Sequence, residues 1–420
     1  MTDYMPISGQ LSESLIKRTT ESKQLSNSET HLIQSDDEAI LVAQALATDF
    51  AMDASGRDQK RRLPYEEIER YSLSGVWGIT VPKEYGGADV SVVTLAEVVA
   101  IISAADPSLG QIPQNHYFFL QLIRTNGSDE QKRFFYDRVL RGQRLGNALS
   151  ELGTKTVGDY NTRVVRDNGA FLLTGRKFYS TGALFAHWVP VVAKDENDYL
   201  VAAFVERGAP GLEIIDDWES FGQRTTGSGT VILENVRVPE LGVMPYQSAF
   251  DEPTALGPVA QIIHAAVECG IARTAIADTI AFVRQRTRPW IDAKIEYGYE
   301  DPLTISQIGE LETRLHAADA LLERAGCFVD RAVAKPDAET VASASIAVAE
   351  AKAATTEIAI QATNKLFELA GTQSTLAKFN LDRHWRNART HTLHDPVRWK
   401  YYAIGNYYLN AVRPKRHGAL

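Results

Sequence analysis

Residues 341–354 read Val-Ala-Ser-Ala-Ser-Ile-Ala-Val-Ala-Glu-Ala-Lys-Ala-Ala, a stretch made almost entirely of helix-forming residues. Alanine has the highest intrinsic helix propensity, so this stretch predicts a long helix over residues 338–370. Apolar residues also recur at helical spacing in three further segments, residues 258–290, 302–334 and 376–412. Long alanine-rich helices commonly pack against one another, and residues 253–420 are therefore predicted to form a four-helix bundle.

The sequence before this bundle divides into segments of different character. Residues 145–252 contain short β-branched or alternating runs separated by turns, which predict a β domain. Residues 36–144 have helical patterns, and Asp36 and Asp37 are expected to cap the first of these helices. Residues 1–35 are rich in Ser, Thr, Glu and Gln and are predicted to form a mobile N-terminal arm.

The composition limits the classes of function. The chain has 420 residues, of which 44% are hydrophobic and 23% charged, as in ordinary globular proteins. A net charge of −9 argues against a nucleic-acid or anionic-membrane partner. Cys269 and Cys327 are too few for a disulfide framework and indicate a reducing compartment, so we expect a cytoplasmic protein. Neither a signal peptide nor an apolar run of the ~18 residues that span a bilayer is recognised.

Several motifs in this layout resemble one enzyme family. Val81-Pro-Lys-Glu-Tyr-Gly-Gly87, Lys177-Phe-Tyr-Ser-Thr-Gly182 and Arg383-His-Trp-Arg-Asn-Ala388 are similar to segments of the acyl-CoA dehydrogenase superfamily. The resemblance spans residues 35–409 and implies an α+β multidomain fold. This fold has an N-terminal α-helical domain, a central β-barrel domain and a C-terminal four-helix bundle. Thr287-Arg-Pro-Trp290 and Arg389-Thr-His-Thr-Leu-His-Asp-Pro396 further resemble the branch of dibenzothiophene monooxygenases and sulfur-acquisition oxidoreductases.

The base of the true dehydrogenases is altered in this chain. The family's catalytic Glu aligns with Asp395, whose side chain is one methylene shorter and precedes Pro396. The family's alternative Glu position falls near Ala260, which is not acidic. A base that is displaced by about 1 Å loses orders of magnitude in rate, so proton abstraction from an acyl-CoA is disfavoured. An FAD-dependent acyl-CoA dehydrogenase that uses Asp395 remains the alternative hypothesis, and a catalytically idle flavin-binding protein is a third.

The resemblance to the monooxygenase branch implies a two-component enzyme. Such an enzyme oxidises a small organosulfur compound with reduced FMN and O2 through a C4a-hydroperoxyflavin, and a separate NAD(P)H:flavin reductase supplies the reduced FMN. The chain agrees in that it has no Gly-x-Gly-x-x-Gly motif for a nicotinamide dinucleotide. The expected catalytic residues are His394, His391, Thr181, Asn147 and His116.

Each of these assignments has a structural alternative. His391 and His394 could be a helix-end pair, Thr181 a turn residue, and His116 a core histidine. No metal site is predicted, because no Cys or third His is suitably spaced from the pair His391 and His394. Arg288 could be an ordinary surface arginine.

The resemblance also implies a flavin site that is shared between subunits. Arg288 is expected to bind the flavin phosphate, and Thr372 and Gln373 to reach the same phosphate from a neighbouring subunit of a homotetramer. The full set of expected flavin-binding residues is Asn115, Asn147, Ser150, Glu151, Lys177, Phe178, Tyr179, Ser180, Thr181, Arg288, Thr372, Gln373 and His394. The chain departs from the best-known monooxygenases at Gln111, Asn115 and Gln373, which replace a His, a Tyr and an Arg. We therefore expect the part of the pocket that contacts the substrate to differ from that of the best-known monooxygenases.

Overall fold

The computed structural model describes residues 30–420. Residues 1–29 of the predicted N-terminal arm lie outside the described residues. The first part of the described chain is helical, as the sequence predicts. Its helices are α1 (Asp36–Ala51), α2 (Ala54–Lys60), α3 (Tyr65–Leu73), α4 (Val92–Ala105), α5 (Pro107–Gln111), α6 (Gln114–Asn126) and α7 (Asp129–Leu140).

The cap of α1 differs from the prediction. Ser35 is the N-cap residue, and its hydroxyl accepts a hydrogen bond from the backbone N–H of Glu38. Asp36 instead accepts hydrogen bonds from the N–H of Ser91 at 3.0 Å and from the hydroxyl of Thr94 at 2.6 Å. The expectation that Asp36 caps its own helix is therefore wrong, since a side chain at N1 can reach the start of a neighbouring helix instead.

The middle of the chain forms one seven-stranded sheet. The strands are β1 (Arg163–Asp167), β2 (Ala170–Lys177), β3 (Trp188–Lys194), β4 (Leu200–Glu206), β5 (Leu212–Ile215), β6 (Thr230–Pro239) and β7 (Val243–Pro245). Their order is β5-β6-β2-β1-β3-β4-β7, and all pairs are antiparallel except β1 with β3. The predicted β-barrel thus takes the form of a sheet with β5 and β7 at its edges.

The C-terminal part is built on three long helices. After the short α8 (Ser248–Asp251), these are α9 (Leu256–Arg286), α10 (Pro302–Ala334) and α11 (Ala338–Ala370). The alanine-rich α11 packs against both α9 and α10, and α9 also packs against α4 of the N-terminal part. Because alanine side chains are small, helix axes can approach closely here, and Ala344, Ala347 and Ala351 are buried.

The fourth predicted helix is interrupted. Residues 376–412 form two helices, α12 (Asp382–His391) and α13 (Arg398–Asn410), instead of one. Pro396 explains the break, because proline lacks a backbone N–H and disfavours a helical conformation in the residue before it. His394 and Asp395 lie in the connection between the two helices. Across residues 30–420, no helix combines the length and the apolarity that crossing a bilayer requires. The predicted domain limits at residues 144 and 252 stay predictions.

Candidate active site

Helix α12 is held in place by charged contacts to two other helices. Arg386 pairs with Asp58 of α2 at 2.6 Å. On the other side, His384 and Arg383 both bind Asp278 of α9, at 2.7 and 3.1 Å. These contacts fix the direction of α12 and therefore the position of its last residue, His391, against α9.

His391 is completely enclosed by polar partners. Its Nδ1 lies 3.0 Å from Oε1 of Glu268, and its Nε2 lies 2.9 Å from Oε1 of Gln111. The same Nε2 is 3.3 Å from Nδ1 of His264. Burial lowers the pKa of His391 below its usual value, although the hydrogen bond with Glu268 opposes this shift. His391 is therefore a neutral imidazole near pH 7.

Glu268 is an ionised carboxylate inside the bundle. Its neighbours from α11 are the ammonium group of Lys352, within hydrogen-bond distance, and the hydroxyl of Thr356 at 2.6 Å. Burial alone would raise the pKa of Glu268, but the charge of Lys352 and the hydrogen bond with His391 outweigh it and lower this pKa to about 2. Glu268 and Lys352 are both fully buried, so each depends on the other for compensation of its charge.

His394 lies at the entrance of the same cluster. Its side chain is 46% exposed, and its Nδ1 lies 3.1 Å from Oδ2 of Asp395. The ring of His394 lies against the ring of His264, with centroids 4.0 Å apart and planes tilted by 37°. Asp395 also accepts a hydrogen bond from Gln261 at 2.9 Å, and Gln261 in turn accepts one from Lys400 at 2.7 Å.

The histidine cluster corrects one step of the sequence argument. His264 supplies the third histidine that the spacing of His391 and His394 did not reveal. Nitrogen or oxygen atoms of His264, His394 and Asp395 all lie within 4.8 Å of one another. Gln261 and His394 both hydrogen-bond Oδ2 of Asp395, and we interpret the cluster as a hydrogen-bonded group.

Asp395 is unsuited to the role of a dehydrogenase base. Burial would raise the pKa of its carboxyl group, but the adjoining His394 outweighs burial and holds that pKa far below the usual range. A general base works best when its pKa is close to the working pH. Ala260, at the alternative Glu position, lies in the core. The acyl-CoA dehydrogenase alternative therefore lacks a poised carboxylate at both positions.

The two segments expected to contact the flavin lie side by side. The N–H of Phe178 donates to the carbonyl of Ser150 at 2.9 Å, and the amide of Asn147 donates to the carbonyl of Tyr179 at 3.1 Å. The hydroxyl of Thr181 lies 2.8 Å from that of Ser228. The first two of these contacts hold residues 147–151 against residues 177–181.

This double segment has features that fit a flavin ring. Tyr179 has a positive φ of 55°, which few non-glycine residues adopt and which often marks functional sites. The hydroxyl of Ser180 is buried but finds no hydrogen-bond partner among residues 30–420. Buried polar groups are nearly always paired, so a ligand that offers a nitrogen or oxygen atom here would complete the site. The ring nitrogens and carbonyls of a flavin are such atoms.

The flavin segments and the histidine cluster belong to one neighbourhood. Gly182 packs so closely on the residue after α5, Ile112, that a Cβ atom in its place would lie 3.2 Å from the carbonyl oxygen of Ile112. The residue before Ile112 is Gln111, whose side chain is a hydrogen-bond partner of His391. Asn115 is buried one turn further along, on α6. The start of α6 and the end of α5 therefore lie between Thr181 and His391.

Two of the expected flavin ligands bind each other. Lys177 donates to Glu151 at 2.7 Å, and both side chains are almost fully buried. Glu151 also accepts hydrogen bonds from the N–H and the hydroxyl of Thr162, at 3.0 and 2.7 Å. Because these bonds occupy both charged groups, the side chains of Lys177 and Glu151 stabilise the β domain and are not free to bind a flavin.

His116 also differs from its predicted catalytic role. Its Nε2 lies 2.7 Å from the carbonyl oxygen of Trp77, and its Nδ1 accepts a hydrogen bond from the N–H of Leu145 at 3.0 Å. The backbone therefore occupies both ring nitrogens, and burial lowers the pKa of His116 to about 3. His116 is a core histidine that ties the N-terminal helices to the start of the β domain.

The remaining expected ligands lie at the other end of the bundle. The hydroxyl of Thr287 donates to the carbonyl of Ala370 at 3.4 Å, which brings Arg288 close to Thr372 and Gln373. All three of these side chains are exposed. His264 and Arg286 are both on α9, and the rise of a helix separates them by roughly 33 Å. Within one chain, the three residues that are expected to bind the phosphate are thus remote from the histidine cluster.

Sequence analysis missed five polar residues of the site. Gln261, His264 and Glu268 lie at positions i, i+3 and i+7 of α9, which is otherwise largely apolar at this end. A polar stripe at this spacing marks one face of a helix and could have revealed them. Lys352 and Lys400 contact this stripe from α11 and α13.

Comparison with known proteins agrees with this architecture. Three sequence profiles match the chain: the acyl-CoA dehydrogenase N-terminal domain over residues 39–143, the middle domain over residues 148–236 and the C-terminal domain over residues 262–399. Dibenzothiophene monooxygenase of Rhodococcus erythropolis is 32% identical over 396 residues, which are 90% of this chain and 95% of that protein.

Two further relatives extend the comparison. A probable FMNH2-dependent monooxygenase of Pseudomonas putida, SfnC, is 31% identical over 384 residues, or 90% of this chain and 96% of that protein. The solved structure of methanesulfinate monooxygenase MsuC from Pseudomonas fluorescens superimposes with a TM-score of 0.85 at 30% identity, and covers 91% of this chain and 99% of that one. The chain therefore belongs to the acyl-CoA dehydrogenase family, within the group that includes the dibenzothiophene monooxygenases.

Proposed function

We propose that this protein is a two-component monooxygenase that uses reduced FMN and O2 to oxidise a small organosulfur compound. The observation that supports this most directly is the cluster of His391, His264 and His394 at the place where a dehydrogenase needs a free carboxylate. Near pH 7 an imidazole can accept a proton and the imidazolium so formed can return it, which suits oxygen chemistry better than α-proton abstraction. The FMNH2-dependent and methanesulfinate-oxidising relatives support the cofactor and the substrate class.

Several residues would hold the flavin ring. The bound reduced FMN would supply the electrons that activate O2. Ser180 and Thr181 would hydrogen-bond the ring, and Asn147 would keep the backbone of Tyr179 in its unusual conformation. His394 would face the reacting centre from the half-exposed side, while His391 would hold or release a proton at Nε2.

A neighbouring subunit would complete the cofactor site. Arg288, Thr372 and Gln373 are together at the far end of the bundle, where a guanidinium group and two polar side chains could bind a phosphate. We propose a homotetramer in which each of these groups serves the flavin of another chain. We also propose that the enzyme works in the cytoplasm, where an NAD(P)H-dependent flavin reductase would provide reduced FMN.

The substrate side is proposed to differ from that of the dibenzothiophene enzymes. Gln111 replaces a histidine and Asn115 replaces a tyrosine of the best-known monooxygenases, and both side chains are buried. Gln111 is held by His391 at 2.9 Å. The two amides offer hydrogen bonds where the tyrosine would offer an aromatic face, which favours a small polar sulfur compound over a planar tricyclic one.

A turnover experiment tests the proposal. The protein is mixed anaerobically with reduced FMN, then with O2 and either methanesulfinate or dibenzothiophene, and the oxidised product and H2O2 are quantified. We expect product from a small sulfur compound, and His394→Ala should release reducing equivalents as H2O2 while the protein stays folded. The matched control is His316→Ala, because His316 is an exposed histidine on α10. Bleaching of a bound FAD by an acyl-CoA, without oxygenation, would contradict the proposal.

A further inference from the structure

A pair of opposite charges lies beneath the histidine cluster, inside the helix bundle. Glu268 of α9 and Lys352 of α11 have side chains that are 0% and 1% exposed. Removing two charges from water is unfavourable, and a well-packed apolar pair is often at least as stable. The stability of the bundle alone therefore does not explain why this pair is present. The pair does have one polar neighbour that belongs to the candidate active site, namely His391.

Glu268 determines which nitrogen of His391 carries a proton. Both oxygens of an ionised carboxylate can only accept hydrogen bonds. The contact of 3.0 Å between Oε1 of Glu268 and Nδ1 of His391 therefore requires the proton on Nδ1. In a neutral imidazole the other nitrogen, Nε2, is then an acceptor. The amide of Gln111 can turn either its oxygen or its nitrogen towards this atom, so it does not oppose that arrangement.

The protonation of His391 also restricts the tautomer of a second histidine, His264. Nε2 of His391 lies 3.3 Å from Nδ1 of His264. Because Nε2 of His391 is an acceptor, a hydrogen bond between these two atoms has Nδ1 of His264 as its donor. Nε2 of His264 is then unprotonated, in a ring that lies against the ring of His394. A single carboxylate thus determines the tautomers of two histidines in series.

We infer that Glu268, with Lys352 as its counter-charge, is a positioning residue that fixes the Nδ1–H tautomer of His391 and, through it, that of His264. Its importance for catalysis rests on the proposed oxygenase function, whereas the tautomers themselves do not. A proton that arrives at Nε2 of His391 forms an imidazolium, which the carboxylate of Glu268 stabilises. When this proton leaves, the Nδ1–H tautomer is restored and the next cycle begins from the same state.

Other groups around His391 would influence the same protonation. Gln111 faces it from α5, His264 from α9 and Lys352 from α11, while His394 and Asp395 lie in the connection after α12. Gln111 and His264 are hydrogen-bonded to Nε2 of His391, and within the described part of the chain Glu268 is the only carboxylate that is hydrogen-bonded to either of its nitrogens. Replacement of Glu268 by the isosteric Gln removes this requirement, because a glutamine amide can accept or donate.

Solid-state NMR of the full-length protein with ¹⁵N-labelled histidine reads the tautomers directly. His391→Gln and His264→Gln spectra provide the assignments. In the wild-type protein near pH 7.5, we expect Nδ1–H and unprotonated Nε2 for both histidines. In Glu268→Gln, the ratio of tautomers should change by at least about tenfold for both, the size expected from one charge-assisted hydrogen bond. Glu268→Asp retains the charge and should retain the wild-type tautomer of His391.

The matched control is Glu97→Gln. It makes the same chemical change and breaks the pair of Glu97 with Arg273, which lies on the same helix as Glu268. Both histidine tautomers should stay as in the wild type. A wild-type His391 protonated at Nε2 would overturn the inference without any variant. An unchanged His264 in folded Glu268→Gln would overturn it too, because a merely structural carboxylate has no reason to affect a residue that it does not touch.

A parallel activity measurement separates this inference from the proposed function. If the oxygenase proposal fails, wild-type protein gives no oxidised product, while the tautomer result still stands. If it holds, Glu268→Gln should lower the yield of product per reduced FMN and shift the pH profile, and Glu97→Gln should do neither. Normal yield and an unshifted pH profile in folded Glu268→Gln would remove the catalytic part of the inference.

Discussion

Mixing two impaired variants, Arg288→Ala and His394→Ala, is expected to restore oxygenase activity. Arg288 follows the end of α9, and the histidine cluster lies near its beginning, roughly 33 Å away along the helix axis. The ribityl chain of FMN is far too short to join two such distant points. If both residues serve one flavin, they must come from different chains, and each variant can supply what the other lacks.

The size of the recovery follows from the proposed assembly. In randomly mixed oligomers at equal amounts, an intact site needs His394 from one chain and Arg288 from its neighbour, which leaves about one quarter of the sites functional. Loss of a charge-assisted phosphate bond weakens FMN binding by about 1–3 kcal/mol, or roughly fivefold to 150-fold. Arg288→Ala is therefore nearly inactive only when reduced FMN is kept close to the dissociation constant of the wild-type site.

The assay exchanges subunits under mild urea, removes the urea and measures oxidised product at limiting reduced FMN. Mixing His391→Ala with His394→Ala provides the control, because both residues lie in the same cluster of one chain and no intact site can form. Recovery in the first mixture alone supports a shared site. If the first mixture shows only the average activity of its two components, while size measurements show that subunits have exchanged, the proposed role of Arg288 is refuted.

Three further outcomes are expected. His394→Ala should convert product formation into H2O2 release while the thermal midpoint stays close to that of His316→Ala. Ser180→Ala removes a buried hydroxyl without a described partner, so the flavin-free protein should gain about 1 kcal/mol in stability while FMN binds several-fold more weakly, as calorimetry can measure. Burial lowers the pKa of His116 to about 3 in the folded protein. Its contribution to the free energy of unfolding is therefore complete above pH 6.5, where this histidine is neutral in the unfolded chain as well, and decreases as the pH falls towards 3. Linkage gives a loss of about 2 kcal/mol at pH 5, which a smaller pH dependence of unfolding in His116→Gln would verify.

The architecture could be predicted from the sequence because the patterns that indicate helices and strands lie within single segments of the chain. Alanine content and apolar spacing are properties of single segments, and the long helices α9, α10 and α11 lie where those patterns indicated them. The break between α12 and α13 was missed although Pro396 marks it, because the apolar spacing continues on both sides of the proline. The resemblance to known enzymes contributed the grouping of Asn147 with Thr181, which no local pattern contains.

The polar interior of the site was not predictable in the same way. Glu268 contacts His391 and Lys352, which are 123 and 84 positions away in the sequence. Nothing in the segment around any one of these residues indicates the partners that the packing of three helices brings together. For the same reason Lys177 and Glu151 were assigned to the flavin, although each fully satisfies the charge of the other.

The position of the dehydrogenase base shows how the site has changed its chemistry. Asp395 still provides a carboxylate in the expected register, but Gln261 and His394 bind it, and its pKa lies far below the usual range because of the adjoining His394. A carboxylate in this state accepts hydrogen bonds from its neighbours and does not remove a proton from a substrate. Glu268 has the same relation to His391 on the buried side of the cluster. Two ionised carboxylates therefore flank the three histidines, and the groups that remain able to exchange protons are the imidazoles.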